Sequence, residues 1–352
     1  MDKMADLSQI DRNFIVDSKI DKKDVKYWNV EEEPFRLYGV FRENGTLRRM
    51  PEKVAEAANT GVVTLHACTA GGRVRFITNS PYIAIYAKMP KIYRMSHFTL
   101  TGCGGFDVYV GKKYSGTFVP PYNIEDTFEQ VVDFGWENMR EITINLPLYA
   151  YVSEMYIGLA ETAQVLPPKP YTYEKPIVYY GSSITQGGCA SRPGNAYSNV
   201  ISRNLDIDQI NLGFSGSARG EEAIAEYIKD LDMSVFVYDY DHNAPDEEHL
   251  NNTHEKFFKI IREKNPNLPV VMMSRPQPVL YEWTQKRRDI VYKTYENAKN
   301  SGDENVYFLD GPQLMALAGT DGNVDGCHPT DLGFASMARA LQPVLEGILE
   351  KL

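Results

Sequence analysis

Two fragments far apart in this chain carry side chains that together suit acyl-group chemistry. The apolar run Pro176-Ile177-Val178-Tyr179-Tyr180 leads straight into Gly181-Ser182-Ser183-Ile184-Thr185, and about 140 residues later stands Asp325-Gly326-Cys327-His328-Pro329. A strand that ends in a sharp Gly-Ser turn lifts a hydroxyl to the rim of a sheet, where an imidazole held by a carboxylate can take its proton. Either fragment alone says little, because Gly-Ser-Ser is commonly a plain turn and Asp-x-x-His commonly a helix start. Their order and separation point to a serine nucleophile with a general base, and both Ser182 and Ser183 are candidates on spacing alone.

The elements that must position these groups change character along the chain. From about residue 34 to 160, short runs rich in Val, Ile, Thr, Tyr and Phe are punctuated by Gly, Asn, Asp and Pro. This pattern predicts an all-β half built as a sandwich. Val62–Ala67, Arg73–Ile77, Tyr82–Tyr86, Phe98–Leu100, Phe106–Val110 and Glu141–Leu146 are its expected strands, and the first thirty residues have no assignment. The proline-dense stretch Val165–Thr172 can continue neither helix nor central strand, so the boundary is set there, with one domain over 1–168 and a second over 169–352. Beyond it, compact apolar runs at 177–180, 209–212, 235–240, 269–273 and 306–309 alternate with helical periodicity over 219–231, 247–264, 284–300 and 331–352. That alternation predicts a parallel sheet with helices on both faces, whose strand carboxyl ends gather the functional groups.

Composition bounds the partners. The 352 residues carry a formal net charge of -10 and no basic stripe, which excludes a phosphate backbone as the expected partner; Lys286-Arg287-Arg288 reads as a solvated helix face. No run of about 18 apolar residues is present, and the first residues lack the apolar centre of a secretory signal, so no membrane partner and a cytoplasmic location are expected. Cys68, Cys103, Cys189 and Cys327 show no paired spacing and are expected as reduced thiols, Cys189 and Cys327 lying close to the two chemical fragments. Asp246-Glu247-Glu248-His249 repeats the Asp-x-x-His spacing, but it follows Pro245 and opens a helix, so it reads as a cap. His66, His97 and His254 have no partners in sequence and read as strand or helix surface. A homodimer is the default assembly on base rates.

Four sequence blocks in the second half resemble those of the SGNH superfamily, also called GDSL-type esterases and lipases. Gly181-Ser182-Ser183-Ile184-Thr185 is similar to the first block with Ser183 as nucleophile, and Asn211-x-Gly213-x-Ser215-Gly216 to the second with Gly216 as an oxyanion-hole glycine. Asn243 matches the asparagine of the third block, and Asp325-x-x-His328 the last, with His328 as base and Asp325 as its orienting acid. The resemblance implies a three-layer, flavodoxin-like α/β hydrolase domain and a Ser-His-Asp mechanism through an acyl-enzyme. The amides of Ser183 and Gly216 and the Asn243 side chain would face the oxyanion, and neither metal nor cofactor is required. Two departures stand out: Ser182 occupies the usual aspartate of the first block, and the third block reads Asp241-His242-Asn243-Ala244.

Gly105-Phe106-Asp107-Val108-Tyr109 resembles the Gly-x-Asp-Leu-Tyr motif of a jelly-roll-like β-domain found ahead of certain SGNH esterases. This layout implies a bacterial carbohydrate esterase that removes acetyl groups from oligosaccharides. His242, Arg192, Tyr197, Trp283 and Asp107 are the expected substrate contacts, with Asp107 also read as a turn stabiliser and His242 also as a hydrogen-bonding support. The alternatives are an acylhydrolase acting on non-sugar esters and, outside catalysis, a carbohydrate-binding protein with a vestigial hydrolase half. A nucleotide-binding half is disfavoured because Gly181-Ser182-Ser183 lacks the Gly-Lys-Ser/Thr arrangement.

Overall fold

A computed structural model describes residues 10–11, 15–16 and 19–352. Residues 25–166 form two main antiparallel sheets, with two-stranded pairs at Phe41–Glu43 with Thr46–Arg48 and at Lys91–Ile92 with Ala150–Tyr151. The first has the order Val25–Asn29, Glu154–Ala160, Tyr82–Lys88, Thr127–Asp133; the second runs Val165–Leu166, Arg73–Thr78, Arg140–Asn145, Phe106–Val110, Lys113–Phe118, with Arg36–Tyr38 also paired to Arg73–Thr78. Ile83, Ile85 and Ala87 of one sheet share a core with Val74, Phe76, Ile142 and Ile144 of the other, so the two sheets make a sandwich.

Two expected strands are helical. Residues Thr60–Leu65 form a helix because the Asn59 side chain accepts the Gly61 and Val62 amides, and this cap outweighs the β-branched residues that suggested a strand. At Phe98-Thr99-Leu100 the Thr99 hydroxyl accepts the Gly102 amide and opens the single turn Leu100–Cys103. The proline-rich stretch is anchored rather than free: Val165 pairs with Thr78, and the Tyr171 ring lies 3.9 Å from the Arg75 guanidinium.

The second half is a parallel sheet in the order Ile207–Gly213, Tyr173–Gly181, Val235–Asp239, Val270–Met273, Val306–Leu309. Tyr197–Leu205 and Asp331–Leu349 cover one face; Glu222–Ile228, Glu247–Lys264 and Glu282–Asn300 cover the other. Strand order reverses at Tyr173–Gly181, and in such sheets the crevice for ligands opens beyond the carboxyl ends of the strands flanking that point. Among the described residues no helix is long and apolar enough to cross a membrane.

The two halves share their interiors. Met50, Ala55, Val62, Leu65 and Cys68 pack into the apolar layer around Phe214, Tyr238 and Phe257, while Phe98, Cys103, Leu148 and Tyr149 join the opposite layer around Tyr179, Tyr197 and Phe334.

Candidate active site

The strand Tyr173–Gly181 delivers the nucleophile candidates. A Cβ on Gly181 would run into the Asp239 carbonyl oxygen and the Thr185 hydroxyl, so only glycine allows the chain to turn this tightly. Ser182 is fully buried and its Oγ accepts the Ile184 amide at 3.1 Å, capping the short helix Ser183–Gln186. Ser183, by contrast, places its Oγ 3.0 Å from His328 Nε2. Spacing left two serines open; the geometry puts one in a helix cap and the other against an imidazole.

His328 is held from below. Its Nδ1 lies 2.8 Å from Asp325 Oδ2, and Asp325 Oδ1 accepts the backbone amides of His328 and Cys327 at 2.7 and 3.0 Å. Partial burial alone would raise the Asp325 carboxyl, but the His328 amide and ring and the Cys327 amide outweigh it and bring it down to about 2. An ionised Asp325 fixes the tautomer with the proton on Nδ1, which leaves Nε2 to accept from Ser183.

The loop that carries Gly216 adjoins the nucleophile turn, the Phe214 amide donating to the Gly181 carbonyl at 2.8 Å. Gly216 has φ +66, and a Cβ there would meet nothing within 4 Å, so its backbone conformation demands glycine while the space beside it stays open. Among the described residues no hydrogen bond takes up the Ser183 or Gly216 amide N–H. The Asn243 side chain donates one N–H to the Phe214 carbonyl at 2.9 Å, with its second N–H left over. The turn that carries Asn243 is braced by the Arg287 guanidinium, which donates to the Asp241 and Ala244 carbonyls. Asn211 of the second block is structural: its side chain donates to the Thr185 carbonyl at 2.7 Å and accepts the Gly213 amide.

Of the expected substrate contacts, two are corrected outright. Tyr197 is completely buried between Tyr179 and Phe334, so it belongs to the core. Asp107 is likewise inaccessible; its Oδ2 accepts from Arg192 Nη1 and from the Gly194 amide, both at 2.8 Å, and its Oδ1 accepts from the Asn145 side chain at 2.8 Å. Arg192 is consumed in this buckle, with the ring of Tyr114 4.1 Å from its guanidinium. The loop following the nucleophile is thereby tied to the sandwich, and the Thr99 and Thr101 hydroxyls tie it again at the Ser191 carbonyl. Trp283 remains half exposed at the rim beside Arg275.

His242 sits with Nε2 3.0 Å from the Cys327 thiol and its Nδ1 without a hydrogen-bond partner. Burial, reinforced by the nearby Arg275 charge, pushes this imidazole well below its usual range, so it is neutral at pH 7. All four cysteines are free thiols. The Asp246 side chain accepts the His249 amide at 2.7 Å, as a helix cap does. The three histidines expected at the surface behave differently: His66 is buried on Arg48, and His254 is buried against Tyr238 and bonded to Thr294. His97 reaches in from the β half to stand 3.6 Å from Asp325 Oδ2, its ring 5.6 Å from that of His328. No sequence signal marked His97, nor Arg49, whose buried guanidinium donates to the Asn211 and Gly213 carbonyls at 2.9 and 2.7 Å behind the second block.

Residues 174–346 match the GDSL-like lipase/acylhydrolase family, and residues 25–165 match a domain described as the N-terminus of an SGNH-hydrolase-type esterase. The chain carries a GDSL-type hydrolase domain. Its structure is similar to that of a protein described as a GDSL-like lipase from Bacteroides ovatus, with TM-score 0.83 and 28% identity over 93% of this chain and 98% of that one. A salicylyl-acyltransferase from a tetracycline biosynthetic pathway shares the fold of the hydrolase at TM-score 0.73 and 21% identity, again over 93% and 98%. So does an acetyl xylan esterase from the rumen bacterium Butyrivibrio proteoclasticus, at TM-score 0.60 and 11% identity over 93% and 99%. No curated protein sequence matches the hydrolase. Its family and fold are those of carboxylic ester hydrolases.

Proposed function

We propose that the protein is a serine esterase that removes acetyl groups from acetylated oligosaccharides, with Ser183 as nucleophile, His328 as general base and then acid, and Asp325 as the group that orients it. Ser183 attacks the ester carbonyl as its proton passes to His328 Nε2, and the imidazolium returns that proton to the departing sugar hydroxyl. Water then cleaves the acetyl-enzyme by the same proton path. The Ser183 and Gly216 amides and the second N–H of Asn243 take the charge that develops on the carbonyl oxygen.

The observation that supports a sugar is the cleft beside the nucleophile. A cavity of about 800 Å³ runs from Tyr149 and Ser215 to the β half, where Lys91, Tyr93, Arg94 and Glu125 line it. Tyr149 donates to the Ser183 carbonyl at 3.4 Å, so this space adjoins the reacting groups. Lys91, Arg94, Glu125, Thr64, Ser215 and Ser217 share these walls with the apolar Leu65, Ile92, Met95 and Ile124, a mixture that suits the hydroxylated edges and apolar faces of a sugar ring.

The test is a mass-spectrometric screen of acetylated manno-, xylo- and chito-oligosaccharides for loss of acetyl, with Ser183→Ala as the blank. Acetyl loss from at least one series, absent in the variant, is expected. Hydrolysis of aryl esters with an optimum at eight carbons or more, and none of any sugar acetate, would overturn the assignment in favour of a lipase-like acylhydrolase. Binding of an oligosaccharide with no hydrolysis of any ester, in wild type as in Ser183→Ala, would point to a binding protein with a vestigial hydrolase half.

A further inference from the structure

Three soft donors meet at the edge of the site, each from a different part of the chain. His97 comes from the β half, Cys189 from the loop behind the nucleophile, and His328 from the last loop, and one ligand atom of each lies within 4.8 Å of the other two. A thiolate with two imidazoles is a donor set that zinc favours, and a tetrahedral site spaces its ligands roughly 3.5 Å apart. The three groups therefore need to close by only about 1 Å. His97 is more than a third exposed, which gives it room to turn.

The second thiol nearby is already engaged, since Cys327 is bonded to His242 at 3.0 Å. The Cys189 thiol has no hydrogen bond among the described residues. Cys189 also has φ +75, a left-handed conformation that strains a residue bearing a Cβ. Glycine or asparagine would sit there at less cost, and strained positions of this kind concentrate where a side chain has a task.

We propose that His97, Cys189 and His328 form an inhibitory zinc site that withdraws the general base from Ser183. Binding releases the Cys189 thiol proton to solvent and leaves one coordination position open to water. Zinc on His328 Nε2 takes the acceptor of the serine proton; zinc on Nδ1 takes the contact with Asp325. Either breaks the relay. This site is independent of which ester the enzyme cleaves.

The experiment uses the full chain stripped of metal with a chelator. Aryl acetate hydrolysis is followed in zinc buffers, and metal binding is followed separately with Co²⁺ through the thiolate-to-cobalt absorption band. One metal per chain, inhibition that tracks occupancy and reverses with chelator, and no inhibition by Mg²⁺ or Ca²⁺ are expected. Cys189→Ser should retain the zinc-free rate, lose the cobalt band and need at least about tenfold more zinc for half inhibition. Cys327→Ser should keep the band. Cys189→Gly, which removes both thiol and strain, provides the same reading should the serine variant fold poorly. Equal zinc sensitivity in wild type and both Cys189 variants, or an unchanged cobalt band in them, would overturn the proposal. The cobalt measurement stands even with no suitable ester in hand.

Discussion

The sandwich and the segments that connect its strands behave as two different materials. Val74, Phe76, Ile83, Ile85, Ile142 and Ile144 close a core of their own between two sheets. The connecting segments do the opposite: residues 49–68, Phe98 to Cys103, and Leu148 with Tyr149 leave the sandwich and complete the apolar layers on the two faces of the parallel sheet. Arg49, fully buried in one of them, spends its guanidinium on backbone carbonyls of the catalytic half, and burial lowers it to about 10. A β-domain with a self-sufficient core is thus joined to its neighbour through its loops, so residues that govern the active site are found outside the catalytic half.

The strongest way to break this contrast is to express residues 169–352 alone. With Phe214 stripped of the Arg49 guanidinium over its ring, and its apolar layer of Met50, Val62 and Leu65, the fragment is expected to show no cooperative thermal transition and no esterase activity. A fragment that melts cooperatively and hydrolyses aryl acetate would show the connecting segments to be dispensable. Next in size, Arg49→Ala leaves several buried carbonyls without a donor and should cost on the order of 4 kcal/mol in urea unfolding. It should also lower kcat, whereas Phe76→Ala inside the sandwich should lose about as much stability with kcat nearly unchanged.

A smaller effect is expected from Asp107→Ala. It frees Arg192 and the Gly194 amide, and should reduce kcat about tenfold with KM little changed, because the loop behind Ser183 loses its anchor while the cleft keeps its walls. An unchanged kcat would make the buckle purely structural. The smallest concerns pH. Asp325 sits near 2 in the folded protein against an ordinary value of 3.8, so the unfolded chain binds its proton first as pH falls. The stability it contributes is complete above about pH 4 and is lost between about 4 and 2. Thermal melts should show that loss in wild type and a shallower one in Asp325→Asn.

What was legible in the sequence follows from how local each signal is. The strands of the parallel sheet are buried on both faces and read as unbroken apolar runs; Val306–Leu309 is found at its expected limits. The helix Glu247–Lys264 is likewise marked at both ends, by a capping aspartate and by basic residues in its last turn. Val62–Ala67 failed because β-branched residues suggest a strand while one side chain, that of Asn59, decides for helix. The catalytic blocks were visible because each is contiguous. Arg49, Asp107 and His97 have partners 162, 85 and 228 residues away, and no local pattern announces such contacts. The same holds for Tyr197: nothing near it in sequence tells an inward-facing tyrosine from one that lines a pocket.

The shared interiors also set an order of events during synthesis. Residues 49–68 leave the ribosome well before the strand Ile207–Gly213 and the helices that they pack against. Until those arrive, Val62 and Leu65 face water while the sandwich around them closes, so the nascent chain carries a sticky surface of the kind that chaperones hold. Translation speed between these two points therefore becomes a determinant of yield, and slowing it should increase aggregation of this chain.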